Sequence, residues 1–173
     1  MTEVDERRAQ RLAKLDRLIK QGVDPYPPRA SFTHTAAQAV AAYVPDRDEQ
    51  PTVTVAGRLM SIRVMGKSTF AHVRDGSGQV QLYLQRDMLG EESYNLFRHE
   101  VDLGDFGQFT GELFKTRTGE VTVRVASWTF LSKTLRPLPD KWSGLRDTEL
   151  RYRQRYLDIL SNGVIQYQST IQA

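Results

Sequence analysis

Phe70, Gln81 and Glu120 are three kinds of side chain that a nucleobase can use. An aromatic ring stacks on a base, and a glutamine amide both donates and accepts. A carboxylate accepts an imino or amino hydrogen, a group that phosphates lack. Strand alternation brings the three together. If Thr69, Ala71 and Val73 face a core, Phe70, His72 and Arg74 share the opposite face, since successive side chains alternate. The same parity sends Val80, Leu82 and Leu84 inward and turns Gln79, Gln81, Tyr83 and Gln85 outward. Val121, Val123 and Val125 go in as well, leaving Glu120, Thr122 and Arg124 outside. Arg63 and Lys67 flank one turn, and Lys115, Arg117 and Arg124 surround another, where cations can hold phosphates and fix register. Each residue alone has a plainer reading, with Phe70 capping the fold under a loop and the polar row as solvated sheet. The shared face is what favours base reading.

The elements that must position this face lie between Val53 and Leu131. The stretch reads as five short strands, with a helical run from Glu91 to Glu100 between the third and the fourth. Breaks fall at Met65-Gly66-Lys67, at Asp75-Gly76-Ser77-Gly78 and at Thr118-Gly119. The second of these is a plain turn, since no glycine-lysine-serine phosphate-loop pattern accompanies it. The first strand runs from Val53 to Val64, with Gly57 as the point of bend or bulge. Arg58, Met60, Ile62 and Arg63 obscure its parity, which also predicts a bulge. The fourth spans Gly107 to Thr116. Three strands, a helix and two strands is the order of a five-stranded Greek-key barrel of the oligonucleotide/oligosaccharide-binding (OB) kind, an all-β core. A split two-sheet roll has the same order and stays open.

Helices flank the barrel. Asp5 to Gln21 carries Ala9, Leu12, Leu15, Leu18 and Ile19 at helical spacing, opposite Arg7, Arg8, Arg11, Lys14, Arg17 and Lys20. That basic face is either a track for a phosphate backbone or a solvated surface. Asp24-Pro25-Tyr26-Pro27-Pro28 is a rigid connector, with Tyr26 packing on the barrel or the first helix. A short alanine-rich helix spans Thr35 to Tyr43, capped by Thr33 or Thr35. His34 lacks partners at ligand spacing and suits a surface or capping role. Ser132 to Pro139 is a proline-punctuated linker, and Asp147 to Leu160 is a helix whose apolar positions need a partner. The resulting division is 1–50 as a helical extension, 51–132 as the barrel, and 133–173 as linker and the start of a further domain.

The chain has 173 residues, enough for one modest domain plus attached helices. Its 24 basic and 21 acidic residues give a net charge of +3, compatible with nucleic acid without being diagnostic of it. It contains no cysteine, which excludes a disulfide framework and thiolate chemistry. No apolar run approaches a membrane span, and the acidic start lacks a secretory pattern, so a soluble cytoplasmic protein without membrane partners is expected. No nucleophile–base pair or paired carboxylates point to catalysis or to a metal.

From about Arg8 to Asn162 the chain resembles the N-terminal part of class II lysyl-tRNA synthetases. The stretches that carry the resemblance begin with Gly57-Arg58-Leu59-Met60-Ser61-Ile62-Arg63-Val64-Met65-Gly66-Lys67, Phe70, Asp75-Gly76-Ser77-Gly78 and Gln81-Leu82-Tyr83. They continue with Lys115-Thr116-Arg117-Thr118-Gly119-Glu120, Leu135-Arg136-Pro137-Leu138-Pro139-Asp140-Lys141 and Arg151-Tyr152-Arg153-Gln154-Arg155-Tyr156-Leu157-Asp158. The resemblance implies a barrel that binds the uridine-rich anticodon of lysine tRNA. Phe70 falls on the family's stacking position, Gln81 and Glu120 on its base-reading positions, and Arg63 on a basic position of the first hairpin. Lys67, His72, Tyr83, Lys115, Arg117, Arg124, Arg11 and Lys14 are candidates for backbone or supporting contacts. The resemblance further implies a longer parent that uses ATP and Mg2+ to attach lysine to tRNA and forms a homodimer. This chain alone is expected to be catalytically inactive, to need no cofactor, and to be a monomer or weak dimer. None of the family's three catalytic motifs is present, and residues 164–173 depart from its usual run, as in a truncated chain or a shortened homologue. Two other readings remain: a nonselective single-stranded RNA or DNA binder, and a dimerisation or protein-interaction piece.

Overall fold

In a computed structural model, the described residues are 3–137, 148–153 and 156. They fall into two units divided after Arg136. The N-terminal extension, the barrel, Lys133 and Thr134 therefore belong to one unit, and the division falls a few residues later than 132. The second unit contributes helix α5, Thr148–Arg153, with an Arg153–Glu149 ion pair at 2.6 Å. Most of the helix expected from Asp147 to Leu160, and the tail after Asn162, lie outside the described residues. Among the described residues no helix is long and apolar enough to cross a membrane.

In the first unit the order is α1 (Glu3–Lys20), α2 (Ala36–Ala41), β1 (Thr52–Met65), β2 (Ser68–Arg74) and β3 (Gln79–Gln85). It continues with α3 (Arg86–Leu89), α4 (Glu91–Glu100), β4 (Phe106–Lys115) and β5 (Val121–Ser132). The strands close in the order β1-β2-β3-β5-β4, with β3 and β5 parallel and the other neighbours antiparallel. Closure excludes the split roll and leaves the sheet without an open edge. Val53, Val55, Leu59, Ala71, Val73, Val80, Leu82, Leu84, Phe109, Leu113, Val123 and Val125 fill the interior. The α4 helix plugs one end with Tyr94 and Phe97. Tyr94 and Thr69 share a buried hydroxyl–hydroxyl bond of 2.9 Å, and the Phe97 ring lies 5.3 Å from that of Trp128.

Gly57 is not the bulge. A Cβ there would run into the Arg74 carbonyl, so the glycine permits close approach of β1 to β2. The bulge falls between Leu59 and Ser61. Leu59 pairs with core-facing Val73, yet Ser61 pairs with His72 and Arg63 with Phe70. One extra residue, Met60, has thus flipped the parity, bringing Ser61 and Arg63 onto the outer face of β2.

The first helix docks differently from its apolar pattern. Of its expected apolar positions only Leu18 is fully buried, while Leu12 and Ile19 are exposed. The face turned to the barrel is Arg11, Lys14 and Leu18. Arg11 donates to the carbonyls of Leu103, Thr134 and Arg136, Lys14 pairs with Asp102 at 2.6 Å, and Arg17 pairs with Glu100 at 3.0 Å. Behind them the fully buried Lys133 ammonium donates to Asp102, Asp105 and the Glu100 carbonyl at 2.6, 2.7 and 2.7 Å. These three bonds use all three ammonium hydrogens. Burial pushes the Asp105 carboxyl above its ordinary value. Burial acts on Asp102 in the same direction, but the Lys133 and Lys14 ammonium groups outweigh it and hold that carboxyl low.

The connector is tied down as well. Tyr26 donates its hydroxyl to the Lys133 carbonyl at 3.1 Å, which fixes it on the barrel side. Thr35, with Gln38, forms the capping box of α2. Thr33 instead accepts the Thr54 N–H, and its hydroxyl meets His34 Nδ1 at 2.8 Å.

Candidate nucleic-acid interface

Strand pairing sets out the platform row by row. Arg63 of β1 faces Phe70 of β2, Phe70 faces Tyr83 of β3, and Tyr83 faces Arg124 of β5. The next row is Ser61, His72, Gln81 and Thr122. Alternate burial along β2 and β3 confirms that these side chains share the outer face. Phe70, Gln81 and Tyr83 are half-buried by one another, leaving part of each open to solvent.

The two rings of the first row, Phe70 and Tyr83, are joined by Phe114 of β4, which stands opposite Thr122 in the second row. The rings of Phe70 and Tyr83 lie 4.9 Å apart, and those of Tyr83 and Phe114 lie 5.9 Å apart, edge to face. The Arg124 guanidinium lies over Phe114, 4.7 Å from the ring centre. These three rings, inclined to one another, and the cation at one end offer faces on which bases can stack.

The second row is a hydrogen-bonded chain centred on Glu120, which stands immediately before β5. Its backbone is pinned to Thr116 across the β4–β5 turn, where the Glu120 N–H donates to the Thr116 hydroxyl and the Thr116 N–H to the Glu120 carbonyl. Gln81 Nε2 donates to Glu120 Oε2 at 2.8 Å, and His72 Nε2 meets Oε1 at the same distance. The carboxylate can only accept, which assigns the amide orientation and leaves Gln81 Oε1 to accept from Thr122 Oγ at 2.8 Å. The Glu120 side chain nonetheless keeps 44% of its surface exposed, so acceptor capacity faces solvent. Thr122 takes the outward place that alternation gives it. It is on the outer face but fully buried under its neighbours.

Arg63, Lys67, Lys115 and Arg117 are exposed around the platform, at the β1–β2 and β4–β5 turns, where a nucleic-acid backbone could meet them. Arg11 and Lys14 are committed elsewhere, their donors directed to the 102–105 turn and the segment after β5. Ser61 and Phe114 were missed by reading the sequence. Parity along Phe109, Leu113 and Phe114 would have turned Phe114 outward. Ser61 required the position of the bulge, which no residue type marks.

Comparisons with known proteins agree with the barrel fold. Residues 53–131 match the tRNA anticodon family of OB-fold nucleic acid binding domains. A lysine–tRNA ligase of Pelotomaculum thermopropionicum is 51% identical over 152 residues, covering 88% of this chain and 29% of that protein. The enzyme of the same name from Enterococcus faecalis is 44% identical over 167 residues, covering 94% and 33%. That of Roseiflexus castenholzii is 48% identical over 163 residues, covering 92% and 33%. The chain thus spans about a third of the length of the curated relatives it matches. Over residues 53–131 the chain thus matches the tRNA anticodon family of OB-fold domains, and over most of its length it is similar to about a third of these lysine–tRNA ligases.

Proposed function

We propose that this barrel binds the uridine-rich anticodon of lysine tRNA, as the recognition part of a lysine–tRNA ligase. The observation that carries the reading is the Gln81–Glu120 pair beside the Phe70–Tyr83 rings, one hydrogen-bonded acid and amide next to one stacking surface. A base stacked on Phe70 would turn its edge toward that pair. Uracil offers an imino hydrogen at N3 with carbonyl oxygens on either side. Glu120 accepts the hydrogen, and the remaining Gln81 N–H can donate to a carbonyl. A cytosine placed in the same way turns its N3 lone pair to the carboxylate and is repelled. Arg63, Lys67, Lys115 and Arg117 then serve the phosphates, adding affinity that falls with salt.

The aminoacylation chemistry belongs, in this reading, to the part of the longer protein that this chain does not match. Among the described residues no group of three or more His, Cys, Asp or Glu side chains is placed to hold a metal. In this reading the ATP, the Mg2+, the homodimer and the cytoplasmic setting belong to the longer parent enzyme.

A fluorescence titration of the chain tests the reading, using lysine tRNA and the same tRNA with an all-cytidine anticodon at one moderate salt concentration. Tighter binding of the uridine form is the expected result. Equal binding would favour the nonselective single-strand reading, for which the cluster of Phe70, Tyr83 and Phe114 is suited. No binding, with a dimer in solution, would favour an interaction role through the exposed Val4, Leu12 and Ile19 of α1.

A further inference from the structure

We propose that His72 is a positioning residue for base selection, fixing the Glu120 carboxylate before RNA arrives. The role rests on the anticodon reading above. The ring is held at both nitrogens, with Ser61 Oγ 2.7 Å from Nδ1 and Glu120 Oε1 2.8 Å from Nε2. An ionised carboxylate only accepts, so the hydrogen at that contact is on Nε2. In the neutral ring Nδ1 then accepts from the Ser61 hydroxyl, which holds the ring from the far side. The Met60 bulge is what makes this possible, because it turns Ser61 onto the face of His72.

Glu120 has three side-chain torsions and stands outside the strand proper. Left alone, it would have to be ordered at the moment a base binds, at a cost in affinity. His72 on one oxygen and Gln81 on the other hold it beforehand. Each bond uses one lone-pair site on its oxygen, and the sites that remain are presented in a fixed direction to an imino hydrogen. The ring, three-quarters covered, is itself rigid enough to impose that direction. His72 in this role touches the reading carboxylate rather than the base.

The test uses the 173-residue chain and two RNA hairpins, one with a UUU anticodon and one with CCC. The measured quantity is the ratio of the two affinities. His72→Ala should lower the ratio about three- to tenfold, the size of one ordinary net hydrogen bond, since the ring acts on the base only through the carboxylate, with little change for the CCC hairpin. His72→Gln, whose Nε2 can occupy the place of the ring Nε2, should restore most of the ratio. Ser61→Ala, which frees the ring to turn, should lower it by less. Thermal unfolding of each variant separates lost fold from lost selection, and if His72→Ala fails to fold, Ser61→Ala and His72→Gln decide. A ratio unchanged within about twofold in His72→Ala, or unchanged within error in Ser61→Ala, would overturn the role. So would a His72→Gln ratio as low as that of His72→Ala, since packing alone would then explain the loss. A wild-type chain with no preference removes the anticodon reading itself and this role with it, a failure visible before any variant is made.

Discussion

The Asp75 carboxylate accepts the backbone N–H of Ala36 at 2.7 Å, joining the β2–β3 turn to the first turn of α2. Its other oxygen accepts the Ser77 N–H and hydroxyl and the Gly78 N–H, and Ser77 Oγ in turn accepts the N–H of Ala37. A turn that reads as plain in sequence is thus an external cap for a helix too short to stand alone.

Acid should release that cap. Burial opposes ionisation of Asp75, but the hydrogen bonds from Ser77, Ala36 and Gly78 outweigh it and hold its carboxyl below the ordinary value. A depressed folded-state value means a contribution present above the unfolded-state pKa, about 3.9, and lost as pH falls through the folded one. Asp75→Ala should cost about 1–2 kcal/mol in urea unfolding at pH 7, as for loss of a cap. Near pH 3 the gap between variant and wild type should narrow. A gap independent of pH would show that the charge of Asp75 is immaterial.

Removing the buried cation should be far more damaging. Lys133→Met leaves Asp105 and the Glu100 carbonyl without their ammonium partner in the interior, a loss of about 3–5 kcal/mol by analogy with other broken buried pairs. Lys14→Ala removes only a partly exposed pair with Asp102, which keeps its bond to Lys133, and should cost much less. Equilibrium urea unfolding of the two variants checks the ranking. Equal effects would mean that the network does not hold this end of the barrel.

Gly111 links stability to the platform. A Cβ at that position would collide with the carbonyl of Arg124, which is main chain and cannot turn aside. Gly111→Ala should therefore destabilise by about 1–3 kcal/mol and shift β5 at Arg124, beside the aromatic row. Weaker RNA binding at a temperature where the variant is still folded would report that shift.

What the sequence made legible was whatever follows a period of two. The inward sets of β2 and β3, and with them the shared face of Phe70, His72, Gln81 and Tyr83, need only the alternation of Ala71, Val73, Val80 and Leu82. The contact between Gln81 and Glu120 adds a register across β5 that alternation does not supply. Where an interaction depends on one irregular residue, the pattern is silent. Met60 reverses the parity of half a strand with no glycine or proline to mark it. The α1 helix was misjudged for a different reason. Long cationic side chains that find buried carboxylates and carbonyls dock a helix as effectively as leucines, so Arg11 and Lys14 face the barrel while Leu12 faces out. Lys133 looked like linker because its partners, Asp102 and Asp105, lie in a turn some thirty residues earlier.

Stacking and reading should separate under substitution. Phe70→Ala removes a ring from the π row without touching the Gln81–Glu120 pair. It should weaken uridine and cytidine anticodons alike, by about 1–3 kcal/mol, the range for one base–aromatic stack. Glu120→Gln keeps the length and shape of the side chain but replaces one acceptor oxygen by an amide donor. That donor can meet the N3 lone pair of cytosine, which the carboxylate repels, while the grip on the imino hydrogen of uracil weakens. The variant should bind the uridine form less tightly, the cytidine form equally or better, and so lose or reverse the preference. Titrating both variants against both tRNAs gives four affinities. If Phe70→Ala altered selectivity and Glu120→Gln only overall affinity, the two rows of the platform would have exchanged their assigned roles, and the reading of Glu120 as the discriminating group would fail.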